Sequence, residues 1–170
     1  MKFTDISKFT RAACYHNNVE MYRMKAYIEE LQKEYHLNMN PDFQRGHVWS
    51  KKQQIAYVEY LLKGGVSGKE FYFNSPDWMG NFEKEMVIMD GLQRITAIIA
   101  FIDNEIPAFG HYHNQYEDRM RMADVTLSIN VNDLKTRKEI LKWYIEMNSG
   151  GTPHNIEEIN RVRKLLDEEK

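Results

Sequence analysis

The sequence predicts a mixed α/β (α+β) domain, a small mixed sheet surrounded by about five helices. Apolar residues recur at helical spacing in five segments, each opened or closed by capping residues. Shorter runs rich in aromatic and β-branched residues, bounded by turn formers, read as strands. The scale agrees: 170 residues, 42% hydrophobic and 12% aromatic, with no repeat, low-complexity tract or Ser/Pro-rich linker, make a single domain over 1–170.

In chain order, a short strand is expected at 11–15. A helix follows Asn17, whose side chain can cap while Glu20 reaches back, with the stripe Met21, Met24, Ile28, Leu31 and Tyr35. A short strand at 37–39 precedes Pro41. The second helix opens at Ser50 with Gln53 three residues on, carries Ile55, Val58, Leu61 and Leu62, and stops at Gly64-Gly65. Strands at 70–73 and 85–89 lead to Asp90-Gly91. There the third helix begins, burying Ile95, Ile98, Ile99 and Ile102 before Pro107. After a strand at 125–131, a fourth helix is expected from Asn132 or Asp133, with Leu134, Leu141 and Ile145, ending at 148–151. The last opens at Asn155, with Glu158 closing a capping box and Ile156, Ile159, Val162 and Leu166 on one face.

Composition narrows the function classes. Nothing approaches the roughly 18 unbroken apolar residues of a membrane span. The first residues hold no apolar signal core, so a cytoplasmic protein of a bacterial or phage-infected cell is expected. A single cysteine, Cys14, excludes an internal disulfide and a cysteine-cluster zinc site. Net charge is −2, yet residues 1–69 carry 11 basic against 7 acidic side chains and residues 70–128 carry 4 against 10. That surplus is modest beside the basic stripe of a dedicated DNA binder.

Three stretches can carry chemistry. In 85–97 a strand runs into Asp90-Gly91 and then a helix, whose N-terminus presents unpaired N–H groups and partial positive charge. Gly91 permits close backbone approach, and Arg94 adds a planar fork suited to phosphate oxygens. Together they describe an anion site. Asp90 with Gln93 is equally an Asp-x-x-Gln capping box needing no ligand, although that leaves Arg94 unexplained. The second stretch is a loop, 41–50, in which Phe43, Val48 and Trp49 read as anchors between the polar Gln44, Arg45 and His47. The third, 148–153, joins two helices. Its glycines suit a helix end, and Asn148 carries an amide that can donate and accept. Gly65-Val-Ser-Gly68-Lys69-Glu70 lacks the spacing of a phosphate loop, and His111 with His113 has no third ligand nearby.

Taken in order, these stretches resemble the N-terminal domain of GmrSD-type, modification-dependent restriction systems, within the ParB/sulfiredoxin-like superfamily. The matching residues are Pro41, Phe43, Gln44, Arg45 and Trp49; Asp90, Gly91, Gln93 and Arg94; and Asn148, Gly150, Gly151, Pro153 and Glu158, spanning about 36–160. The resemblance implies binding of a nucleoside triphosphate of unspecified base, which several members hydrolyse. Asp90, Gln93 and Arg94 would then be catalytic, while Gln44, Arg45, Gly91, Arg94 and Asn148 would bind the nucleotide. Asp90 would orient a ribose, a water or a Mg²⁺ ion. Leu92 stands where the family commonly has Gln, which removes one polar contact. The HNH nuclease that such enzymes carry in a second domain has no counterpart in the sequence, so the chain is not expected to cut DNA by itself.

Three functions stand at this point. The leading one is a nucleotide-binding, weakly hydrolysing switch in restriction, phage defence or counter-defence. The alternatives are a non-catalytic, ParB-like DNA-binding module and an interaction or inhibitor domain in a defence complex. Expected partners are the nucleotide, DNA or a separate nuclease subunit, and a second copy of the chain, with no membrane.

Overall fold

The computed structural model describes residues 1–6, 15–44, 46, 48–76, 78, 80, 82–149 and 156–169. Among them are five strands and five α-helices: β1 (Tyr15–Glu20), α1 (Met24–Glu34), β2 (Leu37–Asn38), α2 (Lys51–Leu62), β3 (Glu70–Asn74), β4 (Met86–Asp90), α3 (Leu92–Ile102), β5 (Thr126–Asn132), α4 (Arg137–Ser149) and α5 (Ile156–Glu168). The strands form one mixed sheet in the order β1-β5-β3-β4-β2. β5 runs antiparallel to β1 and parallel to β3, while β4 runs antiparallel to β3 and parallel to β2. No helix among the described residues is long and apolar enough to cross a membrane.

Two apolar clusters, one on each side of the sheet's central strands, hold the fold. Phe71, Phe73, Met86 and Ile88 pack with α1, α2 and α3 through Met24, Leu61, Ile95 and Ile98. Val87 and Met89 pack with α4 and α5 through Leu141, Tyr144 and Val162. β4 is therefore buried on both faces, and its run Met-Val-Ile-Met shows no polar alternation for that reason. Fully burying each large side chain contributes roughly 1.5–3 kcal/mol. The buried Asn74 is satisfied by a reciprocal pair with Leu134, its Nδ2 donating to the Leu134 carbonyl (3.1 Å) and its Oδ1 accepting the Leu134 N–H (2.9 Å).

Several expectations change. Asn17 does not cap a helix: it lies inside β1, opposite Ile129, and the helical stripe begins after a 3₁₀ turn at Met21–Arg23. Strand pairing with β5 supplies more backbone hydrogen bonds there than one cap could. α4 starts at Arg137, not at 132–133. Asn132 is taken by β5, and the cap falls to Thr136, whose hydroxyl oxygen accepts the Glu139 N–H (3.2 Å) while Glu139 Oε2 accepts the Thr136 N–H (3.0 Å). α3 stops at Ile102, several residues before Pro107. Val48 is no anchor, being 53% exposed, whereas Phe43 is buried and Trp49 half-buried. The Ser50–Gln53 capping box forms as expected. Cys14, Arg45, His47, Gly150, Gly151, Pro153 and Asn155, and all of the expected first strand except Tyr15, lie outside the described residues.

Candidate functional site

The turn from β4 into α3 is built around Gly91. Its φ of 110° lies in the left-handed region, and a Cβ there would stand 2.5 Å from Cδ1 of Phe71. Only glycine combines that backbone with that contact. Gly91 is the N-cap residue, so Asp90 and Gln93 do not form the capping box that their spacing allows. Asp90 ends β4 and turns to Arg94 one helical turn on, with Oδ2 2.5 Å from Nη2. Arg94 also lies over the Phe71 ring, 5.2 Å from its centroid, and is 17% exposed. Arg94 is thus engaged by Asp90 and by the Phe71 ring, and an anion entering the cleft would compete with Asp90 for it.

Gln93 is a tie rod between motifs. Its Oε1 accepts the N–H groups of Val48 (2.8 Å) and Trp49 (3.1 Å), and its Nε2 donates to the Gly46 carbonyl (3.1 Å). The side chain therefore ties Gly46, Val48 and Trp49 to the start of α3. Gln44 does the same from the other side, its Nε2 donating to the Ile88 carbonyl of β4 (2.8 Å). Leu92, where the related pattern has Gln, is buried and closes the floor of the turn.

These residues line one cleft of about 550 Å³, together with Trp49, Met89, Tyr144, Asn148 and Glu158. Residues from all three motifs, more than 100 positions apart in sequence, thus share a single hollow at the N-terminal end of α3. Asn148 is buried, with Nδ2 donating to the Tyr144 carbonyl (2.7 Å), and Tyr144 donates its hydroxyl to Glu158 Oε1 (2.9 Å). Arg45 lies outside the described residues.

Sequence reasoning missed three contributors. Arg161 of α5 donates to the carbonyls of Asp42 (2.6 Å) and Phe43 (2.8 Å), clamping the loop that presents Gln44. Arg137 of α4 adds an ion pair to Asp42 (2.7 Å), and that hydrogen bond holds the Asp42 carboxyl below the usual range. Tyr57 bonds the Gly68 carbonyl (2.7 Å), bringing the 65–69 loop against Arg94, and burial pushes its phenol well above the ordinary value. A helix arginine or tyrosine has no local pattern that marks its distant partner. Burial also pushes Tyr72, on β3, up to about 12.

Chemically, the cleft offers the N–H groups at the start of α3, which have no acceptor within the helix, one guanidinium and the carboxylates of Asp90 and Glu158. Among the described residues no group of three His, Cys, Asp or Glu side chains could cage a metal ion.

No curated protein and no solved structure matches the chain. The family model described as the GmrSD restriction endonuclease N-terminal domain matches residues 28–126, more than half of the chain. That segment contains both the 41–49 loop and the Asp90–Arg94 turn, while Asn148 and Glu158 lie beyond it. The chain belongs to the GmrSD restriction endonuclease N-terminal domain family.

Proposed function

We propose that the cleft binds a nucleoside triphosphate and that the domain acts as a nucleotide-dependent switch in DNA restriction or phage defence. The observation that carries this reading is the convergence of three separated polar motifs on one helix N-terminus, around a glycine with no room for a side chain. A triphosphate would set its oxygens against the N–H groups of Leu92 and Gln93 and draw Arg94 from Asp90. Asp90, released, would hold a Mg²⁺ ion, which would supply charge neutralisation at the phosphates. Gln44, Gln93 and Asn148 would shape the pocket, with Arg45 as a further phosphate ligand.

Hydrolysis, where it occurs, would be electrostatic: Arg94 and the helix end stabilise developing phosphate charge while Asp90 or Gln93 orients a water. With Leu92 replacing a polar side chain, turnover would be slow relative to binding. Family membership points to DNA and a separate nuclease subunit as the partners that the switch would serve.

Calorimetric titration of the four common ribonucleoside triphosphates, with and without Mg²⁺, tests the reading. The wild type is expected to bind at least one of them, and Arg94→Ala to weaken it about 10–100-fold, the loss of a charge-assisted contact. Equal binding by wild type and a folded R94A, or no binding of any triphosphate, overturns it.

A further inference from the structure

The stretch Gly65-Val-Ser-Gly68-Lys69, whose spacing is wrong for a phosphate loop, nevertheless lies beside the cleft. It connects α2 to β3, and two tyrosines of α2 hold it. The Tyr60 hydroxyl oxygen accepts the N–H groups of Val66 (3.1 Å) and Ser67 (3.0 Å) and shares a 2.7 Å hydrogen bond with Ser67 Oγ. Tyr57, three residues earlier, donates its hydroxyl to the Gly68 carbonyl (2.7 Å). Val66 and Ser67 are exposed, and the loop ends, Gly64 and Lys69, border a second cavity of about 450 Å³ at the C-terminal end of α3. The loop is thus placed by hydrogen bonds from α2 more than by packing.

Gly68 is the loop residue that faces Arg94. Its φ of 69° lies in the left-handed region, and a Cβ there would stand 3.5 Å from Cε2 of Tyr57, 3.7 Å from Cδ of Arg94 and 3.8 Å from its Nη1. Arg94 is therefore bounded on three sides, by the Phe71 ring, the Asp90 carboxylate and the backbone of Gly68. Phe71 and Asp90 stand on the paired strands β3 and β4, so their places are set by the sheet. Gly68 stands on the loop, and the Tyr57 hydroxyl sets its place. The Tyr57 ring also meets Trp49 edge-on, with centroids 5.5 Å apart, and Trp49 lines the cleft. One side chain of α2 thus supports two walls of the same site.

We propose that Tyr57 is a positioning residue of the nucleotide cleft: by fixing the Gly68 carbonyl it holds the backbone wall that keeps the Arg94 guanidinium aimed at the cleft. An arginine aimed in advance loses less freedom when a phosphate arrives, which raises affinity. The effect on affinity rests on the nucleotide reading, whereas the effect on Arg94 itself rests on the contacts alone.

Tyr57→Phe tests it, because it removes the hydroxyl and keeps the ring against Trp49. In the nucleotide-free chain, NMR should show hydrogen exchange of the Arg94 Nε–H with water accelerated about three- to tenfold, the scale of one lost hydrogen bond, while the amides of β4 keep their rates. Calorimetric affinity for the four common ribonucleoside triphosphates should fall by a similar factor wherever the wild type binds. Unchanged Arg94 exchange in a folded Y57F overturns the proposal, and so does accelerated exchange with unchanged affinity. A wild type that binds no triphosphate overturns the nucleotide reading instead, and the exchange measurement still decides whether Tyr57 positions Arg94. Should Y57F fail to fold, Gly68→Asn decides the matter. Asn tolerates the left-handed region and sets a side chain against Arg94, so both readouts should change with Tyr57 intact, and no change in either overturns the proposal.

Discussion

Helix α3 joins two hollows of similar size and opposite construction. At its N-terminus the cleft is held by polar side chains that each reach a backbone group in another element: Gln93 to the 46–49 loop, Gln44 to β4, Arg161 to the 42–43 carbonyls. At its C-terminal end the cavity is walled by apolar and aromatic side chains, among them Leu61, Phe101, Tyr116 and Met122, with charged residues such as Lys69 and Asp118 also lining it and, among the described residues, no comparable set of polar ties. The difference is one of tolerance. Apolar walls repack around a substitution of similar volume, whereas a polar tie removed from one side takes a hydrogen-bond partner from the backbone groups it served. The polar end should therefore be rigid and intolerant, and the apolar end adaptable.

The largest effect is expected at Gly91. Alanine there would need a left-handed backbone and would drive its Cβ to 2.5 Å from Phe71, itself fully buried and unable to yield. A loss of about 2–4 kcal/mol is expected, combining strain with overpacking, and a melting temperature lower by roughly 5–15 °C. Triphosphate affinity should fall with it. A G91A variant with unchanged thermal denaturation would remove the distinction between the two ends. Gln93→Ala comes next, because three hydrogen bonds link that side chain to the 46–49 loop. It should cost about 1–3 kcal/mol and raise the hydrogen-exchange rates of the Val48 and Trp49 amides selectively. Uniform acceleration across the domain would mean that Gln93 supports the core at large and not the loop.

The two ends also differ in how far they can be read from sequence. The cleft was legible because its chemistry is polar, local and closely spaced: Asp90, Gly91, Gln93 and Arg94 fall within one strand–turn–helix junction, and the same residue types that suggest an anion site line it. Even there the local rule failed in detail. Asp-x-x-Gln spells a capping box, but Gln93 satisfies three groups of a distant loop instead of its own helix end, and Gly91 takes the cap. The helical periods of α2 and α3 were read correctly for a related reason, since each buries one face against the sheet. Asn17 was misread because its pairing partner, Ile129, lies more than 100 residues away and a cap looks like a local certainty. Thr136-Arg-Lys-Glu139 was the better capping box for α4 and stood in plain view, overshadowed by the Asn-Asp pair at 132–133. The second cavity left no trace in the sequence. Its apolar walls are ordinary residues from α2, α3 and an irregular segment.

The smallest predicted effect tests the adaptable end through a proton. His113 lies beside the cavity, its ring edge-on to Phe101 with centroids 5.5 Å apart. Burial, reinforced by the Arg119 charge, lowers its pKa from the ordinary value of 6.5. The folded state therefore disfavours the imidazolium. The contribution of His113 to stability is present above pH 6.5, where the unfolded chain also holds it neutral. It is lost as pH falls through the lower folded-state value, because the unfolded chain takes up the proton first. Since the ring is only partly buried, solvent screening keeps the effect small. Denaturant midpoints measured at pH 7.5 and 5.5 should show a shallower acid-side loss for His113→Gln than for wild type, with equal m-values. If the two slopes coincide, His113 does not sense the cavity wall, and the low-pH behaviour of the domain belongs to its carboxylates, with Asp42 beside Arg137 the first to examine.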